Sequence, residues 1–147
     1  MENNIVSFET HVRAREKMMR EKLLSGIDRR EVYQYYENVI RASIEHLTLL
    51  QRYIVEEYLA EIITSFFIHG VDASREYELG RTDKEIERAA MKRLFASIYS
   101  LSGDYRLSRH LNEWDLYSIS VLAEDLAGRW FQHGLAYGRK QRKLRLL

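Results

Sequence analysis

The chain has 147 residues, 31% of them charged, with a formal net charge of +1 and neither cysteine nor proline. This composition excludes disulfides, thiolate metal sites and cysteine nucleophiles, and it favours helices over β-structure. No stretch approaches the roughly 18 uncharged apolar residues of a membrane span, and the acidic start lacks a signal-peptide pattern. We therefore expect one cytoplasmic, all-α domain over residues 1–147.

Capping signals and apolar spacing predict two helices in the first third of the chain. The first covers residues 1–26, where a narrow apolar stripe runs among many charges and Ser25-Gly26 can end the helix. A capping box over Asp28-Arg29-Arg30-Glu31 starts the second, and we place its end between Glu45 and Arg52, at Thr48. The apolar stripe of this second helix is Val32, Tyr36, Val39 or Ile40, Ser43, Leu47 and Leu50.

Three further helices are predicted after that break. The third ends near Gly80, and a capping box over Thr82-Asp83-Lys84-Glu85 starts the fourth, which Ser102-Gly103-Asp104 closes. After a loop with a helical turn at 105–111, Asn112 caps a last helix that runs to about Lys143. The apolar stripes are Val55, Leu59, Ile62, Phe66, Gly70, Ala73 and Tyr77 in the third; Ile86, Ala90, Leu94, Ile98 and Leu101 in the fourth; and Ile119, Leu122 or Ala123, Leu126, Trp130, Gly134 and Tyr137 in the last.

These elements predict a four- or five-helix bundle. We expect two related helical hairpins, residues 28–80 and 82–143, preceded by the charged N-terminal helix and followed by a basic tail over 144–147. Charge is divided unevenly between them: residues 53–87 carry 9 acids and 3 bases (−6), and residues 88–147 carry 5 acids and 11 bases (+6). Opposite fields of this kind can guide two halves, or two subunits, together.

An internal echo suggests that the two hairpins arose by duplication. Shifting the chain by 64 residues superposes residues 61–75 on residues 125–139, with Phe-Phe-Ile-His-Gly at 66–70 falling on Trp-Phe-Gln-His-Gly at 130–134. Glycine inside a helix costs about 0.5–1 kcal/mol relative to alanine, so close packing should compensate for it. The helix-packing or interface candidates are Phe66, Gly70, Ser74, Trp130, Gly134 and Gly138.

Two packing arrangements fit these glycines. In one, the third and fifth helices pack about a pseudo-two-fold axis, and each of Phe66 and Trp130 lies over the glycine of the other helix. In the other, each glycine only makes room for neighbouring aromatic side chains in an ordinary bundle core. Both arrangements are structural, and neither supplies a catalyst.

The last helix also carries a resemblance to a known family. Trp130-Phe131-Gln132-His133-Gly134-Leu135, continued by Lys140-Gln141-Arg142-Lys143-Leu144-Arg145, resembles the C-terminal signature of the YbaK-like family of small uncharacterised Bacillus proteins, which is distinct from the tRNA-editing proteins. The similarity is weaker from Tyr58 to Leu101. It implies a Bacillus-type cytoplasmic origin and assigns no reaction or catalytic residue.

Catalytic and metal chemistry find little support in the residues. A di-iron site in a helical bundle needs Glu-x-x-His pairs, which the chain lacks, so His69 and His133 are expected to be partly buried, hydrogen-bonded side chains. Glycine-flanked serine elbows and phosphate-binding glycine loops are also absent. We therefore expect no enzyme activity, no metal and no cofactor.

The expected function is that of a non-catalytic interaction or regulatory protein that binds a protein partner or a second copy of itself. The alternative is a nucleic-acid-associated protein that uses a basic C-terminal helix. Cations near a helix C-terminus also complement the helix dipole, which is the simpler explanation of such a segment. The basic-patch candidates are Arg139, Lys140, Arg142, Lys143 and Arg145.

Overall fold

The computed structural model describes residues 17, 18 and 20–147, and the regular elements among these residues are all helices. The α-helices are α1 (Arg29–Tyr35), α2 (Arg41–Ile44), α3 (Leu49–Ala73), α4 (Asp83–Asp104), α5 (Leu107–His110) and α6 (Glu113–Lys143). A π-helical turn, Tyr36–Ile40, joins α1 to α2, and a 3-10 helix, Ser74–Leu79, extends α3. The all-α helical bundle predicted from the sequence is confirmed.

Most of the predicted first helix, residues 1–26, lies outside the described residues. Residues 20–24 are helical, and the turn at Ser25 and Gly26 follows them as expected. Leu23, Leu24 and Ile27 pack against the core of the bundle. Arg20 also forms an ion pair with Glu61 of α3 at 3.2 Å, so residues 20–27 pack against the bundle.

Side-chain caps start the helices where the sequence predicts. Thr48 forms a complete capping box with Gln51, in which each side chain bonds the backbone of the other residue. Asp28, Thr82 and Asn112 cap α1, α4 and α6 by accepting hydrogen bonds from backbone N–H groups of the first turn. Such caps satisfy amide groups that a helix leaves unpaired at its start. The break at Thr48 and the end of the last helix at Lys143 are confirmed.

The π-helical turn changes which side of the second predicted helix is buried. An extra residue in the turn rotates the following residues relative to an α-helix. Tyr35 before the turn and Ile40 and Ile44 after its start are buried, whereas Tyr36 is only half-buried and Val39 is exposed. Of the predicted stripe, Ile40, the alternative to Val39, and Leu47 are buried as expected, whereas Val39 and Leu50 are exposed.

The two longest helices, α3 and α6, form the centre of the bundle and run parallel. Gly70 lies against the backbone of Phe131 and Leu135, Gly134 lies against Phe67, and Gly138 lies against Val71 and Ser74. The contacts advance in the same direction along both helices, which defines the parallel orientation. Two parallel helices need a connection that returns to the starting end of the bundle, and α4 with α5 provides it.

The glycines permit direct contact between the backbones of α3 and α6. A Cβ atom added to Gly70 would lie 2.7 Å from the nitrogen of Leu135 and even closer to the carbonyl oxygen of Phe131. A Cβ atom added to Gly134 would lie 2.9 Å from the carbonyl carbon of Phe67 and even closer to its oxygen. The contact is therefore reciprocal, and corresponding atoms belong to residues 64 positions apart.

One detail of the predicted symmetric packing was wrong. The nearest atoms to a Cβ atom on either glycine are backbone atoms of Phe131, Leu135, Gly134 and Phe67, and none belongs to Phe66 or Trp130. The Phe66 ring instead packs edge-on against His69, with 5.6 Å between ring centroids, and the Trp130 ring packs in the same way against His133 at 5.5 Å. The aromatic rings flank the helix crossing, and the backbones fill it.

The helix α1 contacts α6, and the π-helical turn that follows it contacts α3. The Tyr35 ring meets Trp130 edge-on at 5.7 Å, and the Tyr35 hydroxyl donates a hydrogen bond of 2.6 Å to Asp125. On α3, Glu56 accepts a hydrogen bond from Tyr36 at 2.8 Å. The helix α1 and the π-helical turn therefore lie across the groove between the two long helices, because together they contact both of them.

We expect Gly134→Ala to destabilise the protein although alanine is the better helix former. The new methyl group would collide with the Phe67 backbone, and overpacking of this kind costs about 1–3 kcal/mol. Gly128→Ala in the same helix is the matched control, because a Cβ atom there meets no atom within 4 Å. That control should stabilise by about 0.5–1 kcal/mol, and urea denaturation measures both. Equal effects of the two substitutions would contradict a backbone contact at Gly134.

We expect Tyr35→Phe to cost about 1 kcal/mol at neutral pH by removing the hydrogen bond to Asp125. Burial acts to raise the pKa of Asp125, but hydrogen bonds from Tyr35 and Arg129 outweigh it, so the pKa lies below its usual value. Stability from a lowered carboxyl pKa is present at neutral pH and is lost as the pH falls through the folded-state pKa.

The loss caused by Tyr35→Phe should therefore shrink in the acid range, as the pH falls through the lowered pKa of Asp125 and the carboxyl group becomes protonated. Denaturation curves recorded from pH 7 down to the acid range measure this change. The exposed Tyr33 on the same helix provides the control, since Tyr33→Phe should have no effect at either pH. A loss that does not vary with pH would contradict the coupling between Tyr35 and Asp125.

Candidate interaction surface

The predicted packing residues are all inside the bundle. Ser74 illustrates how they are used, because its hydroxyl is fully buried, donates to the carbonyl oxygen of Val71 and accepts a 2.7 Å hydrogen bond from Nε of Arg142. These residues hold α3 against α6 within one chain, so they are not a surface for a partner. The buried set is Phe66, Gly70, Ser74, Trp130, Gly134 and Gly138.

Two of the five basic-patch candidates are engaged within the chain. The Arg139 guanidinium lies over the Tyr77 ring at 4.4 Å from its centroid and pairs with Asp83 at 3.8 Å. Burial, with a hydrogen bond to Asp83, raises the pKa of Tyr77 to about 12, so its hydroxyl remains a proton donor at neutral pH. Arg139 therefore joins the end of α6 to the start of α4, across the boundary between the acidic and basic segments.

Arg142 is the second engaged candidate, because it bonds the buried Ser74 hydroxyl. Lys140 and Lys143 in the last turn of α6 and Arg145 just beyond it are exposed. Three exposed cations at a helix C-terminus complement its dipole. The basic segment is thus partly a structural element and partly a small exposed patch.

The two histidines of the repeated motif are exposed, which corrects the expectation that they are partly buried. His133 pairs with Glu31 of α1 at 2.9 Å, and His69 lines a cavity between α3 and α4. Within residues 17–18 and 20–147, no three His, Asp or Glu side chains form a cluster able to hold a metal ion. The two imidazole rings face different neighbours and do not form a joint site.

An exposed aromatic face on α6 was missed by the sequence analysis. Trp114, Tyr117 and Val121 are 73%, 64% and 48% exposed, and the first two rings pack together with 6.3 Å between their centroids. At 100° per residue these positions share one face, almost directly opposite the buried residues Ile119, Leu126 and Trp130. We call Trp114, Tyr117 and Val121 the aromatic face.

The start of α3 exposes a comparable group. Leu50 and Tyr53 are each 63% exposed, and they lie 64 positions before Trp114 and Tyr117. Since α3 and α6 run parallel, both groups lie at the same end of the bundle. The side chains of Gln51 and His46 hold this end together, by bonding the His110 carbonyl at 2.7 Å and the Asp115 carboxylate at 2.6 Å.

The large exposed side chains at this end of α3 and α6 are apolar or aromatic. Aromatic residues are enriched in protein interfaces. Among the described residues, no helix has both the length and the apolar character needed to cross a membrane.

Comparison with known protein families, curated proteins and solved structures finds no match for the chain. The resemblance of the last helix to the YbaK-like family therefore stays a prediction. Function has to be argued from the surfaces of the bundle alone.

We expect Arg142→Gln to destabilise the protein by about 1 kcal/mol, because the buried Ser74 hydroxyl would lose a charged hydrogen-bond donor. Lys143→Gln removes the same charge from the exposed neighbouring position and should change stability by less than about 0.5 kcal/mol. Thermal or urea denaturation of the two variants measures the difference. Equal stabilities would show that the basic segment does not contribute to the fold.

Proposed function

We propose that this protein is a non-catalytic interaction module that binds a protein partner, and that the partner is a second copy of the chain. The observation that carries the proposal is the aromatic face of α6. A surface helix normally places charged and polar residues opposite its buried stripe. Here the largest exposed side chain of the helix is a tryptophan, packed against a tyrosine.

The chemistry of these side chains supports binding to a protein. Tryptophan and tyrosine dominate the binding energy of many interfaces, because they bury a large area with few rotatable bonds. The face lies on a rigid 31-residue helix that is held by the glycine crossing at its other end. A preorganised face loses little conformational entropy on binding.

Two similar exposed groups at one end of the bundle favour a second copy of the chain as the partner. The aromatic face and the pair Leu50–Tyr53 lie at one end of the bundle, at positions 64 residues apart. A symmetric dimer uses the same patch on both subunits, and this chain offers apolar patches at that end on both of its long helices. We further infer that the 64-residue spacing reflects an internal duplication, which the reciprocal contacts of Gly70 and Gly134 support.

The alternative, a nucleic-acid-associated protein, depends on Lys140, Lys143 and Arg145. Arg139 and Arg142 are engaged with Tyr77, Asp83 and Ser74, which reduces the number of cations that stand apart from the fold. With few phosphate contacts, the affinity for nucleic acid falls only slightly as the salt concentration rises. The exposed aromatic side chains of this helix, Trp114 and Tyr117, lie at the opposite end of α6 from these cations.

Sedimentation equilibrium tests the proposal. The full chain should associate to a dimer. The double substitution Trp114→Ala with Tyr117→Ala should raise the dissociation constant of the dimer at least tenfold, since each anchor residue contributes more than about 1.4 kcal/mol. Tyr99→Ala is the matched control, because Tyr99 is 84% exposed on α4 and should leave association unchanged.

Tryptophan fluorescence gives an independent reading. Trp130 is buried and Trp114 is exposed, so dimer formation should shift emission from Trp114 to shorter wavelength as the concentration rises. A chain that stays monomeric at high concentration, or a double variant that associates as well as the wild type, would overturn the proposal. A salt-dependent shift with DNA or RNA that disappears on neutralising Lys140, Lys143 and Arg145 would favour the alternative.

A further inference from the structure

A cavity of about 510 Å³ opens between the end of α3, the 3-10 helix and α4. Its floor includes the buried side chains of Ile86, Leu94 and Phe131. His69 and Arg93 reach its rim from opposite helices. Its lining combines charged and polar side chains with apolar ones, and the volume is within the usual range of a small-molecule site.

The other side of the bundle shows what fits beside such a histidine. His133 stands one turn after Trp130, as His69 stands one turn after Phe66, with ring centroids 5.5 and 5.6 Å apart in the two pairs. Beside His133 the α1 helix closes the groove, and the carboxylate of Glu31 lies 2.9 Å from Nε2. Beside His69 the corresponding place is the cavity. The chain itself therefore places a carboxylate against one of two similarly presented imidazoles.

The charges around the cavity favour an anion. Three arginines line it, Arg75, Arg81 and Arg93, against the two carboxylates of Asp72 and Glu76. Arg81 pairs with Glu76 at 3.0 Å, so these two charges offset each other. The remaining lining charges are the two cations Arg75 and Arg93 and the one anion Asp72.

We propose that this cavity binds a small carboxylic acid with an apolar body. The ligand carboxylate accepts hydrogen bonds from His69 and Arg93, and its apolar part packs against Ala73, Ala89 and Ala90, the apolar lining residues that keep exposed area. Charge-assisted hydrogen bonds from an arginine fix the orientation of the carboxylate, and burial of the apolar part supplies the remaining affinity. This site is separate from the aromatic face, so binding here does not depend on association of the chain.

Titration with 2-naphthoate, followed by ¹H–¹⁵N NMR of the full chain, tests the proposal. We expect saturable binding with a dissociation constant of about 1 mM or lower, which is typical of a ligand of this size. The shifts should be centred on His69, Arg93 and Leu94. Naphthalene-2-carboxamide has the same shape without the charge, and it should bind at least tenfold more weakly.

Arg93→Gln should weaken 2-naphthoate binding about tenfold, as expected for loss of a charged hydrogen bond. Arg88→Gln is the matched control, because Arg88 is exposed on the same helix and lies outside the cavity. The proposal is overturned if the carboxamide binds as well as the acid, if both variants behave alike, or if the shifts lie elsewhere. Absence of binding at about 10 mM also overturns it.

Discussion

The direct backbone contact between α3 and α6 is the constraint on which the rest of the structure depends. Gly70 and Gly134 each face the backbone of the opposite helix so closely that neither position has room for a Cβ atom. The contact brings two parallel helices together, and parallel helices leave a return path to be filled by another element, here α4. It also turns Phe66 and Trp130 away from the crossing and onto the neighbouring histidines. The cost of glycine in a helix is offset by this packing.

The same contact creates two similar grooves that the chain fills differently. On one side α1 lies across the groove, with Tyr35 against Trp130 and Glu31 against His133. On the other side α4 lies against α3 but leaves the cavity beside His69. A nearly symmetric centre with unequal outer helices thus produces one closed groove and one open one. The difference between the grooves arises outside the repeated segments, in helices whose sequences are unlike.

The sequence predicted the local features well and the non-local ones poorly. Caps at Thr48 and Asn112 act within four residues, so the boundaries of α3 and α6 could be predicted from them. The glycine crossing had a signal, because glycine inside a helix needs compensation, but which backbone atoms fill it depends on helix orientation. The π-helical turn at Tyr36–Ile40 left no recognisable pattern, so the sequence could not decide between Val39 and Ile40 as the buried residue. The cavity is bordered by three consecutive elements, the end of α3, the 3-10 helix and α4, together with Phe131 of α6. It depends on how these elements pack against one another, which no local pattern encodes.

The aromatic face could have been found from the sequence and shows why residue types alone misled. Trp114 and Tyr117 belong to the helix that carries the buried Trp130, and a tryptophan is commonly taken as part of a core. The angle between positions decides the matter, because a residue opposite the stripe of Ile119 and Leu126 cannot reach the core. The six buried packing residues are fully used inside the chain, so they leave no area for a partner. The proposed association through the outer side of α6 instead uses large apolar side chains on the surface of a helix that is fixed at its far end.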